Sequence, residues 1–448
     1  MKRIAIGLAA YDSKDLAHRS AELSANGPST IFRADPQANA SLLTTATTAL
    51  ANIKEGTSLR LSATGNTLKV TGVGLTGDPS LSKIIIKPAS PDTHFFVQLD
   101  SLKAGRTRRT YTGEIVALAQ NSSLYLFVQC SLEEYLFGVL SSEIPATYHL
   151  EAIKAQAIAA RTYALNPRID HKPDHCHVCD SFLCCQCFLG LPAQSKSPYN
   201  QAIDQTKGQV MIYQDKPVLA LFSSCAGGHT ENYESCFSDI HTNAFPPLAI
   251  PYLKGVAEGR LPSDFHSPPD EKALAAVWHW PRPDTVDGWA SQFRWSVNLS
   301  ADLLEATMHH VIDKMLGNSE FAPFVIPPQS SIFGQVKSFT IQNRGVGGTA
   351  ISMAVDTSKG TWILKKELVI RSAFENPEIK LARLRSARIY FEQRRSAAGN
   401  LLSVNIFGLG SGHGVGLQQT GAEGLARIGK DCQAILNHYF KGAQIARL

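Results

Sequence analysis

The chain has 448 residues, of which 44% are apolar and 18% charged, and a net charge of +5. That length allows about three domains of roughly 150 residues each, and the composition is that of a folded rather than a disordered chain. No run approaches the roughly 18 uninterrupted apolar residues of a membrane-spanning helix, so no transmembrane segment is expected, and the mild positive charge favours an anionic partner without being a nucleic-acid footprint.

Residues 1–10 read MKRIAIGLAA. Lys2 and Arg3 mimic the start of an export signal, but the apolar run is short and no clear cleavage site follows. A β-strand over residues 3–8 is the expectation instead. Residues 1–130 read as β-rich. Leu59 to Ala63 and Leu68 to Val73 alternate apolar and polar, with Gly65-Asn66 as a turn between them. Strand patterns follow at 84–87, 94–99, 115–118 and 124–128. The basic run Arg106 to Thr110 reads as a solvated turn.

The pattern changes at Ser131, which with Glu134 forms a capping box. Leu132, Tyr135, Leu136, Val139 and Leu140 make one helical stripe. A second, alanine-rich helix is expected from Pro145 to about Leu165. Residues 167–200 form a Cys/His/Pro loop. Strands are expected at 209–213 and 218–223, and residues 257–295 show no clear periodicity. A helix capped by Ser300 runs to Leu316. Strands return over 335–372 and 387–392. The glycine-dense stretch 408–429 precedes a short helix, Cys432 to Tyr439. No internal repeat is found.

Glu143 lies eleven residues after Leu132 and continues the apolar stripe, so it is expected to point toward the packed side. It also ends its helix, where the dipole is negative. Desolvation and the dipole should both raise a carboxyl pKa, which suits a general acid for glycosidic-bond cleavage. A solvated helix-end glutamate is the commoner outcome of such spacing. Five of the nine cysteines fall between Cys176 and Cys187. Within Asp174-His-Cys-His-Val-Cys-Asp and the following Cys184, Cys185 and Cys187, thiolates and imidazoles are dense enough to hold Zn²⁺. A local disulfide or reduced thiols explain the cluster equally well. Cys225 and His229, in the segment Phe222 to Asn232, could form a thiol nucleophile and base, although a polar binding loop fits that segment better. Gly408 to Gly416 lacks the Lys-Ser/Thr of a P-loop. Its glycines let backbone pass close to another strand or a ligand, and they leave His413 accessible. Gln418 and Gln419 could donate to sugar hydroxyls.

Taken together, Tyr135-Leu-Phe-Gly-Val-Leu-Ser-Ser-Glu-Ile-Pro-Ala and Leu150-Glu-Ala-Ile-Lys-Ala-Gln-Ala-Ile-Ala-Ala-Arg-Thr-Tyr-Ala-Leu resemble the signature of the SpoIID/LytB family, the stage II sporulation protein D group. Residues 202–210, Phe222 to Asn232, Pro251-Tyr-Leu-Lys, Gly412 to Ala422 and His438-Tyr-Phe-Lys-Gly are further matches. The resemblance implies an α+β fold in which antiparallel β-rich domains flank a helical catalytic segment. Its parts would be a β-rich region at 1–130, a catalytic core at 131–256, an inserted region at 257–334 and the rest of the core at 335–448.

It also implies a lytic transglycosylase that cuts the MurNAc–GlcNAc backbone of peptidoglycan, preferably glycan stripped of its stem peptides. Glu143 maps onto the catalytic acid. Hydrolases commonly use two carboxyls. Here the sugar's own 6-hydroxyl would be the nucleophile, giving a 1,6-anhydro end, and one carboxyl would serve as acid and then base. Ser223, Ser224, Gly227, Gly228, His229, His413, Gln418 and Gln419 are the expected glycan-binding residues. Some relatives bind zinc through a Cys…Cys-Gln segment, which Cys179 and Cys185-Gln186 match. The departure is Cys184, where a histidine often stands. Cys176 and Cys187 are extra, and His175 and His177 are additional candidate ligands. Such a zinc would be structural, since the chemistry requires no cofactor. The alternatives are a non-catalytic glycan-binding enhancer of a cell-wall amidase and a Cys225–His229 thiol hydrolase. An envelope location follows from the resemblance alone. Sporulation, division and general wall turnover stay open as roles.

Overall fold

The structure, a computed structural model, describes residues 2–10, 13–34, 42–76, 81–101, 106–166, 171, 175–191 and 198–448, without the side chains of 106 and 107. Tyr11, Asp12 and Asp174 lie outside these residues. The molecule mixes helices with mainly antiparallel sheet. Two compact units divide it: residues 1–211 with 215–219 and 446–448, and residues 212–214 with 220–445. None of the described helices is long and apolar enough to cross a membrane.

The first unit is built on a twelve-stranded sheet. Its main path runs Ala46–Ile53, Ser29–Ala34, Lys83–Pro88, Glu114–Gln120, Ser123–Ser131, His18–Ala25, Leu59–Thr64, Thr67–Thr71. The expected alternation is visible in Phe95–Ser101, where Val97 and Leu99 are buried while Gln98 and Asp100 are exposed. Gly65 has φ +59° and closes the hairpin in which Thr64 faces Thr67. The first strand, Arg3–Gly7, pairs antiparallel with Ser123–Ser131 and parallel with Val178–Cys179. The cysteine loop is thereby tied to the sheet. Arg106 to Thr110 is no solvated turn: Arg106–Tyr111 is a strand paired with Phe95–Ser101. Its arginines read as exposed charge, but alternation turns Tyr111 into the core and leaves Arg109 half-buried.

Helix α1, Leu132–Glu143, has the expected capping box, and its five stripe residues are all buried. Helix α2, Leu150–Ala164, starts later than expected. Residues 145–149 form a turn, and the His149 side chain caps the helix by accepting the Glu151 N–H. The small side chains of Ala152, Ala155, Ala157, Ala159 and Ala160 are fully buried, so α2 is enclosed nearly all round. Helix α3 is Pro198–Gln205. Arg161 of α2 is wholly buried and makes a two-pronged pair with Glu133 of α1, at 3.1 and 2.6 Å.

The second unit carries α4 (Tyr233–Cys236), α5 (Glu271–His279), α6 (Ala301–Leu316), α7 (Glu367–Ser372), α8 (Gln419–Arg427) and α9 (Cys432–Tyr439). Its core packs α6 with two antiparallel sheets. One is Arg294–Ser300, Leu401–Leu409, Ile389–Arg395, and the other Val325–Ile326, Gly360–Lys365, Ala350–Thr357, Val336–Arg344. The Ser300 cap and the bounds of α9 agree with the sequence reading. Three elements do not. The strand expected at 218–223 survives only as Phe222–Ser223, and the two-residue strand Lys216–Pro217 precedes it. Helix α5, capped by Asp270, sits in the stretch that showed no periodicity. Helix α7 ends what read as a run of strands. The glycine-dense stretch is also partly helical. In α8, a Cβ at Gly424 would overlap the Val286 carbonyl and one at Gly421 the Tyr439 hydroxyl. These glycines serve close packing rather than flexibility.

Glu133→Ala would leave Arg161 as an uncompensated buried charge. The expected loss is about 3 kcal/mol or more of unfolding free energy in urea titrations, against about 1 kcal/mol for Ser131→Ala, which removes only the cap.

Candidate active site and metal cluster

Glu143 is the last residue of α1. Ile144 follows as an extended C-cap (φ −129°, ψ 137°), held there by the geometry a proline imposes on the residue before it. The side chain is half-buried, and its Oε1 accepts the Cys187 backbone N–H at 2.7 Å. One turn of α1 is shared with the same segment: Ser142 Oγ accepts the Leu189 N–H at 3.2 Å and donates to the Gly138 carbonyl at 2.7 Å. Phe188 fills the space between these bonds. Its ring lies on Gly138, where a Cβ would collide with it, and packs against Tyr135 and Tyr111 at 5.3 and 5.9 Å. The glycine in Phe137-Gly138 therefore exists to admit this ring.

The loop that offers the Cys187 N–H is fixed at several points. Gln186 is buried, and its Nε2 donates to the Tyr135 hydroxyl at 3.0 Å and to the Ala160 carbonyl at 3.2 Å. Asp180 is buried as well. Its Oδ1 accepts the Ala9 N–H at 2.7 Å, and its Oδ2 pairs with Arg109 at 3.3 Å. Burial, and then the charge of Glu143, push the Cys187 thiol up to about 11, so it stays protonated at neutral pH.

Four ligand atoms gather in the same loop. Those of His171, Cys179, Cys184 and Cys185 all lie within 4.8 Å of one another. His171 Nε2 is 3.1 Å from Cys185 Sγ and 3.4 Å from Cys184 Sγ. The Cys179 N–H donates to Cys185 Sγ at 3.5 Å. Hydrogen bonds from Cys179 and Cys185 drive the Cys184 thiol far down, and the same sharing drives Cys185 up. Three sulfurs and one imidazole are a donor set of the kind that holds a tetrahedral ion. The two expected cysteines are thus brought together, with Cys184 at the position where a histidine often stands. His175 and His177 are engaged elsewhere. His175 faces Gln120 at 3.2 Å, and His177 Nδ1 accepts the Ala5 N–H at 3.0 Å. Cys176 is buried beside Gly7, and none of the nine cysteines, all of them among the described residues, is in a disulfide. His171 was missed, since a lone histidine eight residues before Cys179 carries no ligand spacing.

The remaining expected residues belong to the second unit, where two loops interlock. Phe222–Ser223 pairs parallel with Leu417–Gln418. Ser223 Oγ donates to Gln418 Oε1 at 2.8 Å and accepts the Gly414 N–H at 3.1 Å. Gln418 is buried and also donates to the Gly416 carbonyl. The Ser224 carbonyl accepts both the N–H and the hydroxyl of Thr420, and Gln419 is buried at the start of α8. Gly227, at φ +68°, passes too close to Gly410 for any side chain. The Gly228 N–H donates to Asp287 at 3.0 Å. His229 stacks on Phe265 and donates through Nδ1 to the Thr230 carbonyl at 2.7 Å. His413 Nδ1 accepts the Val415 N–H at 3.0 Å. The Cys225–His229 dyad does not form. Cys225 is buried, its thiol donates to Asp287 at 3.6 Å, and burial pushes it well up.

Residues 120–213, which hold α1, the cysteine loop and α2, match the family described as Stage II sporulation protein, SpoIID. Residues 241–416 match a domain of unknown function, DUF8618. Stage II sporulation protein D of Bacillus subtilis is 26% identical over 328 residues, covering 70% of this chain and 74% of that protein. The amidase enhancer of Bacillus subtilis is 27% identical over 314 residues, covering 69% of this chain and 40% of that protein. An uncharacterized protein of Brachyspira hyodysenteriae is 25% identical over 335 residues, covering 75% and 72%. The resemblance read from the motifs is borne out.

Burial pushes His229 and His413 down to about 4. Both stay neutral in the fold while the unfolded chain takes up protons below about 6.5. Their contribution is therefore intact above that pH and is lost as pH falls toward 4. His413→Gln should flatten the decline in unfolding free energy between pH 7 and pH 5.

Proposed function

We propose that the protein is a peptidoglycan lytic transglycosylase of the cell envelope, cutting the MurNAc–GlcNAc backbone of denuded strands with Glu143 as its single general acid and base. The observation that carries this reading is the Glu143 carboxylate, half-buried at a helix end and aimed by the Cys187 N–H. The protonated carboxyl would give its proton to the glycosidic oxygen and then take one from the 6-hydroxyl as that oxygen closes on the anomeric carbon. Among the described residues, Asp180 also acts on Cys187, and it is buried and bonded to Ala9 and Arg109. It is in no position to activate water, which supports a one-carboxyl mechanism over hydrolysis. For the second unit taken by itself, the loops with His229 and His413 are proposed to bind glycan. The similarity to an amidase enhancer supports a second reading, in which the chain binds glycan and stimulates an amidase without cutting.

His171, Cys179, Cys184 and Cys185 would hold zinc. The ion would supply a crosslink that fixes the 179–187 loop, since Cys185 lies two residues from the N–H that aims Glu143.

Glu143→Gln is expected to lower the yield of anhydro ends from denuded glycan by about 10² to 10⁴, read by mass spectrometry. Equal yields from wild type and variant would remove Glu143 as the acid. Elemental analysis should give one zinc per chain, lost in Cys179→Ser, Cys185→Ser and His171→Ala and kept in Cys187→Ser.

A further inference from the structure

Arg109 sits opposite Val97 in the sheet of the first unit. Its Nη1 donates to Asp180 Oδ2 at 3.3 Å and to the Phe188 carbonyl at 3.4 Å. Among the described residues the guanidinium is bonded through Nη1 alone, and 17% of the side chain remains exposed. Nε and Nη2 keep their donors. Phe188 follows Cys187, whose N–H holds Glu143. The guanidinium and the carboxyl are thus held by neighbouring residues of one loop, Arg109 by the Phe188 carbonyl and Glu143 by the Cys187 N–H. Asp180 is nearly fully buried and spends its other oxygen on Ala9, so it fixes the direction of the guanidinium rather than closing it off.

We propose that Arg109 receives the free lactyl carboxylate of a muramoyl residue lying against Glu143. This rests on the glycan reading above and adds what that reading lacks, a group that tells stripped strands from intact ones. A stem peptide joins the muramoyl lactyl group as an amide. Removing the peptide leaves a carboxylate. A planar cation with unspent donors binds a carboxylate by charge-assisted hydrogen bonds, whereas a neutral amide offers one weaker acceptor. Glu143 reads the linkage, and Arg109 reads whether its neighbour has been stripped.

The test is calorimetric binding to full-length Glu143→Gln protein, which leaves the ligand uncut. The probes are denuded glycan oligosaccharides and the same oligosaccharides with their lactyl carboxylates converted to methylamides. With Arg109 present, the carboxylate form should bind about tenfold to a hundredfold more tightly, as for a hydrogen-bonded charge. In Arg109→Gln both forms should bind alike, at the weaker affinity. Arg109→Lys should keep part of the preference. Zinc content and melting temperature show whether the loop survives; if Arg109→Gln loses the metal, Arg109→Lys is the variant that decides. The proposal is overturned if Arg109→Gln keeps the preference, if both forms bind equally with Arg109 in place, or if neither binds. A carboxylate preference in a wild type that makes no anhydro ends would sink the transglycosylase reading and leave Arg109 standing.

Discussion

The bond from the Cys187 N–H to the Glu143 carboxylate is the contact on which the site depends. A backbone donor has no rotamers, so it aims the carboxyl only as well as the loop that carries it is fixed. Among its described residues the loop has no helix or strand beyond Val178–Cys179, and its position comes from outside. The strand pairing Gly7↔Cys179 sets one end. Gln186 reaches both helices, Phe188 fits against Gly138, and Asp180 anchors to Ala9 and Arg109. The Cys/His cluster sits among these anchors. A bound ion there would add a further restraint two residues from the donor.

The helix that carries Glu143 was legible because its signals are local. A capping box, an i, i+3, i+4 stripe and a proline after the last turn lie within fifteen consecutive residues, 131–145. Helices α6 and α9 were legible for the same reason. What the sequence hid depends on contacts between distant segments. His171 joins the Cys/His cluster only because the chain returns at 184–185. Arg109 becomes half-buried only because residues 180–188 settle on its strand, and a run of three arginines in six residues otherwise reads as solvated. Helix α8 was masked by glycines that local rules assign to loops, whereas here they admit the Val286 carbonyl and the Tyr439 hydroxyl.

The glycine and polar motifs of the second unit show the same limit from the other side. They were conspicuous in sequence, and much of their polarity is spent inside the protein. Ser223 and Gln418 bond each other, Gly227 and Gly410 let two backbones touch, and Arg388 donates to the carbonyls of Ala226, Gly227 and His229. A buried guanidinium serving three carbonyls of one loop needs its charge balanced. Glu231 and Asp287 lie close enough to oppose it, each itself held by backbone N–H groups. A motif rich in Ser, Gly, His and Gln is therefore not by itself a surface for sugar. Ser223 and Gln418 are committed to shaping the loops, and the half-buried rings of His229 and His413 are tied in as well, through the Thr230 carbonyl and the Val415 N–H. Chemistry-bearing residue types identify a segment worth attention, but the accounting of their hydrogen bonds decides which atoms remain to act on anything else.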